Sequence, residues 1–412
     1  MPNSLSKLRV TSVIASLTAG GIGPVCRYAA EGLAKQTGWQ VTLLALHDPV
    51  GEFTDEASGV RVVGLGLDGN CARRFLQWLA ANPQDLIITS DVCRIEAAFR
   101  FLPPNTRHVI QIHDSAGRYR DVAVCHAAWV DGVTCVGRHI EAPLRRSLDA
   151  VGFRGLLRTV HNGANFPTAP KRQPYAGPLR LLFMGRMDVL KGLFDFVPLL
   201  QRLKKLGVPV SLNLVGGEHE ELRRRFEQKG LASMVRWTGR VPHEKCYKIA
   251  AESDIFLMTS RKEPFGMVTV EAMSMGCVPM AYDTPSGSTE IIEHGRSGLL
   301  VPLGDFRAWA AHIEALHADR SRLANLATGA MERARTHFNA EVMGANLTGF
   351  LQDVMAQAAK QPARREAGMP PEEPVVYARP AQGYQRLPAG MRMWIRNWVC
   401  ARPRLAYWLL NR

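Results

Sequence analysis

Short apolar runs recur along this chain, and most are separated by stretches of helical period. They lie at residues 41–46, 86–89, 109–112, 133–136 and 158–161, and again at 179–183, 210–215, 235–238, 255–259, 278–281 and 299–302. Helical patterns occupy 72–81, 94–101 and 140–148 between members of the first set. Apolar runs alternating with helices are what parallel strands need, because each crossover helix covers a face of the sheet. An earlier run, 8–17, reads as a first strand that enters a glycine turn and then an amphipathic helix at 24–35. Residues 164–178 contain four prolines and read as a linker. The expected fold is α/β: two doubly wound, Rossmann-like domains facing a cleft, with ligands at the carboxyl ends of the strands. The expected boundaries are 1–165 for the first domain, 166–178 for the linker, 179–358 for the second domain and 359–412 for a basic C-terminal extension.

A chain of 412 residues, 46% apolar, is long enough to bury two cores. Its eight cysteines, at 26, 71, 93, 125, 135, 246, 277 and 400, form no C-x-x-C pair. Neither a zinc ribbon nor a redox pair is indicated, and scattered thiols suit a reducing cytoplasm. Lys7 and Arg9 ahead of the apolar run 10–22 imitate a signal peptide. The helix that follows directly favours a buried strand instead, and without a run of 18 apolar residues no membrane-spanning helix is expected. The net charge of +14 is uneven, for residues 361–412 carry nine basic and three acidic side chains, net +6, while the other 360 residues share the remaining +8. Without an aromatic-basic motif this does not point to nucleic acid. A small excess for phosphorylated ligands and a specialised tail fit better.

The segment with most chemistry is Glu263-Pro-Phe-Gly-Met-Val-Thr-Val-Glu271. It follows the strand-like run 255–259 and opens a helix over 267–275, which Gly276 ends. The free amides of a helix N-terminus, here at Met267 and Val268 after Phe265 and Gly266, favour an anion such as a diphosphate. Glu263 on the turn and Glu271 within the helix would be acceptors flanking that anion; the bland alternative is two solvated glutamates on an ordinary connection. Gly185-Arg186-Met-Asp-Val-Leu-Lys191-Gly192 follows another strand. Its Arg and Lys can converge on one diphosphate, or can be solvated charges. Gly20-Gly21-Ile22-Gly23 after the first strand lets backbone approach a ligand, or is a flexible turn. His113 ends the strand 109–112, where a lone histidine is often structural. Gly239-Arg240-Val241 is a further glycine turn at a strand end.

The Glu263–Glu271 segment resembles the E-x7-E motif of retaining GT-B glycosyltransferases, in particular the large family 4 type. The match continues through Glu271-Ala-Met-Ser-Met-Gly-Cys-Val-Pro, Thr289-Glu290-Ile-Ile and Gly298-Leu-Leu-Val, and covers roughly residues 8–358. The resemblance implies an acceptor-side first domain and a nucleotide-sugar-binding second domain. It implies that Gly20 and Gly21 face the donor diphosphate and acceptor, and that His113 faces the transferred sugar from the first domain. Gly185, Arg186 and Lys191 would clamp the phosphates, and Arg240 and Val241 would meet the base through backbone. Glu263 would bind sugar hydroxyls and Glu271 the ribose. The donor implied is a UDP-hexose first and GDP-mannose second; the acceptor is a saccharide or lipid-linked saccharide in surface polysaccharide synthesis. No cofactor is implied, and with no D-x-D in the chain no metal is. Two segments depart from the family pattern, Ser260-Arg261-Lys262 and Gly287-Ser288-Thr289-Glu290, and both leave room for an unusual pocket.

Other readings stay open beside it. Gly64-Leu-Gly66-Leu-Asp-Gly69 satisfies G-x-G-x-x-G after an apolar run, and Asp91 stands where a ribose-binding acid would belong, so an NAD-dependent oxidoreductase is a rival. A non-catalytic binding protein and a GT-B-like epimerase share the scaffold, though the epimerases lack the paired glutamates. In the tail, 363–386 reads as a linker, and Met391, Trp394, Ile395, Trp398, Leu405, Trp408 and Leu409 form an apolar stripe among arginines. Residues 389–412 are expected to meet an anionic membrane surface on its inner face, or to dock on the first domain or a partner subunit.

Overall fold

The protein is described from a computed structural model, which describes residues 7–18, 21–67, 69–92, 94–114, 117–170, 177–360 and 365–369. Of these, the residues up to Asn165 together with those from Phe338 form one compact unit, and Phe166–His337 form another.

The first unit is built on β1 (Arg9–Ile14), β2 (Gln40–Ala45), β3 (Gly51–Thr54), β4 (Arg61–Gly64), β5 (Leu86–Ser90), β6 (Arg107–Ile112), β7 (Gly132–Cys135) and β8 (Leu156–Thr159). Their order is β3-β4-β2-β1-β5-β6-β7-β8, parallel except for β3 on β4. Helices α1 (Ile22–Thr37), α2 (Cys71–Ala81), α3 (Gly117–Cys125) and α4 (Arg138–Ala150) belong to this unit. The expected helix over 94–101 is a 3-10 segment, Glu96–Phe101. The edge strand β3 has no counterpart in the apolar pattern, because all four of its residues are exposed. The strand expected at 158–161 begins earlier because the chain must hug the preceding turn at Gly155, where a Cβ would lie 2.4 Å from the Asp131 carbonyl oxygen.

The second unit holds β9 (Leu179–Met184), β10 (Val210–Val215), β11 (Val235–Gly239), β12 (Ile255–Met258), β13 (Val278–Tyr282) and β14 (Leu299–Val301), all parallel, in the order β11-β10-β9-β12-β13-β14. Read from its first strand this is the doubly wound order 3-2-1-4-5-6. Its helices are α5 (Phe196–Lys205), α6 (Glu220–Gln228), α7 (His243–Ala251), α8 (Met267–Ser274), α9 (Gly287–Ile291), α10 (Phe306–Ala318) and α11 (Arg320–His337). The sheet buries Leu181, Phe183, Leu212, Leu214, Leu257 and Met280 in a cluster with Phe196 and Leu200 of α5 and Trp309 and Ile313 of α10. Each such side chain contributes about 1.5–3 kcal/mol on leaving water.

The last helix, α12 (Ala340–Ala358), differs from the expected end of the second domain at 358, for it packs in the first unit. Glycines on both sides let α1 and α12 touch backbone to backbone: a Cβ on Gly32 would lie 3.2 Å from the Gly344 Cα. Val354 and Phe350 of α12 cover Gly132 of β7. The chain enters this helix beside the point where it left the unit, since Ala340 N donates to Ala164 O at 3.0 Å and Ala164 N to Phe338 O at 3.1 Å. The start of the extension stays on the same unit. Arg365 donates to Asp131 Oδ2 at 3.0 Å and to the carbonyls of Thr106 at 2.8 Å and Trp129 at 3.1 Å. No helix among the described residues is long and apolar enough to cross a membrane.

Candidate active site

In a sheet of order 3-2-1-4-5-6 the connections leave the first and fourth strands on opposite faces, and a crevice opens between their carboxyl ends. In the second unit those strands are β9 and β12. The loops after them bring Lys191 and Glu263 together, with Lys191 Nζ 2.7 Å from Glu263 Oε2. Both side chains are largely buried, at 21% and 9% exposure, so the pair is shielded from bulk water. Gly185 continues β9 by donating to Val215 O at 3.0 Å. Arg186, next in the chain, is exposed and has no side-chain partner among the described residues. Lys191 is thus seated on a carboxylate, and Arg186 is exposed on the same loop.

The Lys191 turn is closely built. The Asp188 side chain accepts from Leu190 N at 2.9 Å, and Thr259 Oγ1 donates to Lys191 O at 2.8 Å. Gly192 has φ +74°, and a Cβ there would lie 2.0 Å from Thr259 O and 2.5 Å from Arg261 Nη1. Arg261, with a fully buried side chain, donates from Nη2 to Asp195 Oδ1 at 2.6 Å, and Tyr282 OH donates to Asp195 Oδ2 at 2.6 Å. A buried guanidinium thus underlies the turn that carries Lys191 and stands two residues before Glu263. Ser260-Arg261-Lys262 marks this support.

Glu263 also fixes the next turn through its backbone, accepting from Gly287 N at 2.8 Å. Gly287 must be small, because a Cβ would lie 2.1 Å from Phe265 O, and Phe265 itself is buried. Gly266 has φ +103° and is the N-cap of α8 without a side-chain cap. Met267 and Val268 form the first turn of that helix, whose amides have no intrahelical acceptor. Glu271, one turn further, is buried, and its Oε1 lies 2.9 Å from His243 Nε2. The bond to Glu271 raises the imidazole above its ordinary pKa, against the effect of burial.

The glycine turns after β9, β10 and β11 interlock. Gly216 N donates to Gly239 O at 2.8 Å, and a Cβ on Gly216 would lie 1.8 Å from Gly185 O. Arg240 is exposed and Val241 half-buried on the last of these turns. Sequence reasoning passed over Gly216-Gly217 and His243. The first pair had the signal used for Gly20-Gly21, a double glycine after a strand. His243 had none, since its meaning comes from Glu271 on a helix 28 residues away.

In the first unit, His113 follows β6 and is 7% exposed. Its backbone amide donates to Asp91 Oδ1 at 3.1 Å, and its Nε2 lies 3.8 Å from Cys26 Sγ of α1. Burial lowers its pKa to about 4, so the imidazole is neutral near pH 7. Its Nδ1 has no hydrogen-bond partner among the described residues. Gly21 is the N-cap of α1, and a Cβ there meets open space. The glycine forced by contact is Gly23, whose Cβ would lie 2.1 Å from Leu17 O. Gly20 lies outside the described residues, as does the tail segment 389–412.

The dinucleotide fingerprint is not at the switch point of its sheet. Gly64 ends β4, next to the edge strand, and a Cβ there would lie 2.1 Å from Pro49 O. Gly64 and Gly66 serve the packing of the 48–50 loop, a Cβ on Gly69 would meet open space, and Asp91, at φ +49°, holds the His113 backbone.

A family model for glycosyl transferases group 1 matches residues 167–333, and one for a glycosyl transferase 4-like domain matches residues 20–163. The Escherichia coli K12 protein WcaL, named for glycosyl transfer in colanic acid biosynthesis, is 31% identical over 45% of this chain and 48% of its own. A GDP-mannose:cellobiosyl-diphosphopolyprenol alpha-mannosyltransferase of Xanthomonas oryzae pv. oryzae is 32% identical over 40% of this chain and 44% of its own. The chain thus spans about half the length of these curated relatives. Anabaena HepE, solved in complex with UDP-glucose, superposes with a TM-score of 0.64 at 20% identity, over 84% of this chain and all of HepE. At that identity the likeness shows the shared fold.

Proposed function

Because the chain belongs to the GT-B glycosyltransferases of the family 4 type, we propose that it transfers a hexose from a nucleotide sugar to a saccharide with retention of anomeric configuration. The observation that carries this is the Lys191–Glu263 pair at 2.7 Å, at the switch point of the second unit and beside the N-terminus of α8. A cation, a carboxylate and free amides in one crevice suit a ligand that is anionic at one end and hydroxylated at the other. Cleavage of the anomeric C–O bond leaves both electrons on the diphosphate. Lys191, Arg186 and the amides of Met267 and Val268 stabilise that charge without a metal, in a site already arranged for it. Glu263 accepts from sugar hydroxyls and Glu271 from the ribose; the Gly185, Gly216 and Arg240–Val241 turns approach the diphosphate and base through backbone. The acceptor oxygen attacks the same face, and its proton passes to the departing phosphate oxygen. His113 orients the transferred sugar, and Gly20 and Gly21 the acceptor; these roles rest on the resemblance.

A UDP-hexose is the first choice of donor, in line with the HepE complex, and GDP-mannose the second, in line with the Xanthomonas relative. The proposed acceptor is a saccharide or lipid-linked saccharide of a surface polysaccharide, as the names of the relatives suggest. The test is a thermal-shift and turnover screen of UDP-hexoses and GDP-mannose with EDTA present, the anomer of the product being read by NMR. Expected are a raised melting temperature with one donor and a product of the donor's anomeric form. An inverted product, or stabilisation by NADH alone, overturns the reading.

A further inference from the structure

His243 belongs to none of the motifs that carry the resemblance, yet it makes the only hydrogen bond recorded for the Glu271 carboxylate among the described residues. Its side chain is 49% exposed while that of Glu271 is 11% exposed, so the pair joins the rim of the crevice to a carboxylate sunk in α8. The imidazole is held in place by Tyr247, one turn further along α7, edge-to-face with ring centroids 5.1 Å apart. Oε1 of Glu271 is engaged, and Oε2 carries no hydrogen bond among the described residues. A carboxylate free to rotate pays a conformational cost when it accepts from a diol; one oxygen already anchored leaves the other pre-aimed. The ring also lies two residues after Val241, on the helix that follows the turn assigned to the base.

We propose that His243 is a positioning residue: by holding Oε1 it directs Oε2 of Glu271 toward the ribose of the bound sugar nucleotide, and it makes donor affinity depend on pH. This rests on the reading of Glu271 as the ribose ligand. The groups that act on His243 are Glu271 from α8 and Glu244 from its own helix, both of which raise its pKa. Cys246, on the same helix, is a thiol pushed up by burial and by Glu271, and stays neutral near pH 7. A raised pKa means that the cationic ring, with its charge-assisted bond, is present in the ordinary histidine range and is lost as pH rises through the raised value. Donor affinity therefore falls as pH rises through that window.

The test uses the full chain and calorimetric binding of UDP-glucose and GDP-mannose, whose esterified phosphates do not titrate there, between about pH 6 and 8.5, around the ordinary histidine pKa. His243→Leu should weaken binding of the accepted donor about tenfold at the acid end, the loss of one charge-assisted bond, and raise KM far more than it lowers kcat. His243→Gln keeps a donor at the position of Nε2 but cannot titrate; it should restore much of the affinity and flatten the pH dependence. Because the ring is half exposed, both variants should melt close to the wild type. In a Glu271→Ala background His243→Leu should add nothing. The proposal is overturned if His243→Leu binds like the wild type at every pH, or if His243→Gln keeps the wild-type slope. Normal binding by Glu271→Ala would instead remove the ribose reading beneath it, so the two failures are told apart.

Discussion

The two glutamates of the acidic turn are handed to different bases. Glu263 leaves the end of β12 on a turn and meets Lys191; Glu271 is carried by α8 to His243. Each carboxylate thus has a basic side chain already hydrogen-bonded to it. Glu271→Ala should weaken donor binding by roughly 10–100-fold, still measurable by calorimetry, while leaving the far-ultraviolet spectrum intact. Near-normal transfer by the folded variant would remove its role. Lys191→Ala and Arg186→Ala should each lower kcat/KM by roughly 10²–10³-fold, the scale of one donor aimed at developing charge. Their stabilities should differ. Arg186 is exposed and has no side-chain partner among the described residues, so its variant should melt like the wild type. Lys191→Ala leaves Glu263 buried without its partner, and should lower the melting temperature unless a donor is present. These residues could be read from the sequence because strand, turn and charge fall within a few positions of each other. The Glu271–His243 pair could not, since no local pattern tells which helix will lie beside α8.

At the scale of elements, the loop after β9 is held by what lies under it. Removing Asp195 takes away the carboxylate that pairs with the fully buried Arg261 side chain and leaves the Tyr282 hydroxyl without its acceptor. Asp195→Ala should therefore cost about 3–5 kcal/mol in urea unfolding. Gly192→Ala combines φ +74° with a 2.0 Å approach to Thr259 O, and should displace the Lys191 turn, lowering activity even where the fold survives. Strand β6 makes a different prediction. It carries His108 and leads into His113, with His126 nearby; burial lowers their pKa values to about 3, 4 and 4. Folding favours the neutral rings, so the stability they confer is complete above about pH 6.5 and is lost as pH falls toward their folded values. The midpoint of unfolding should drop steeply between about pH 6.5 and 4, and His126→Phe, placed beside Phe99 and Trp129, should make the drop shallower. The strands were legible because parallel sheets bury both faces and leave continuous apolar runs. The edge strand β3 was not, because no face of it is buried. A short apolar pattern does not distinguish the 3-10 segment Glu96–Phe101 from an α-helix.

For the whole molecule, the last helix decides where the halves end. A periodic pattern states that α12 is amphipathic but not which sheet it covers; Gly32, Gly132 and Gly344 settle that by letting it approach α1 and β7. Beyond it Arg365 is anchored on Asp131, so the extension begins from a fixed point on the first unit. In co-sedimentation with anionic vesicles at low salt, the full chain should pellet and a chain ending near Gln361 should stay in solution. If both stay soluble, the proposed membrane contact of 389–412 fails.

The pairing of Ala164 with residues 338 and 340 has a consequence for how such a chain can be cut and rejoined. The segment 166–337 is continuous, while the remainder is interrupted, and its two interrupted ends lie within hydrogen-bonding distance of each other. In topological terms the second unit is an insertion into the first. A short glycine-serine bridge from Asn165 to Phe338 should close the first unit into a soluble, cooperatively melting protein. Truncation at Asn165 should not, because it removes the helix that covers α1. A second unit taken from another protein of this fold could be spliced at the same seam.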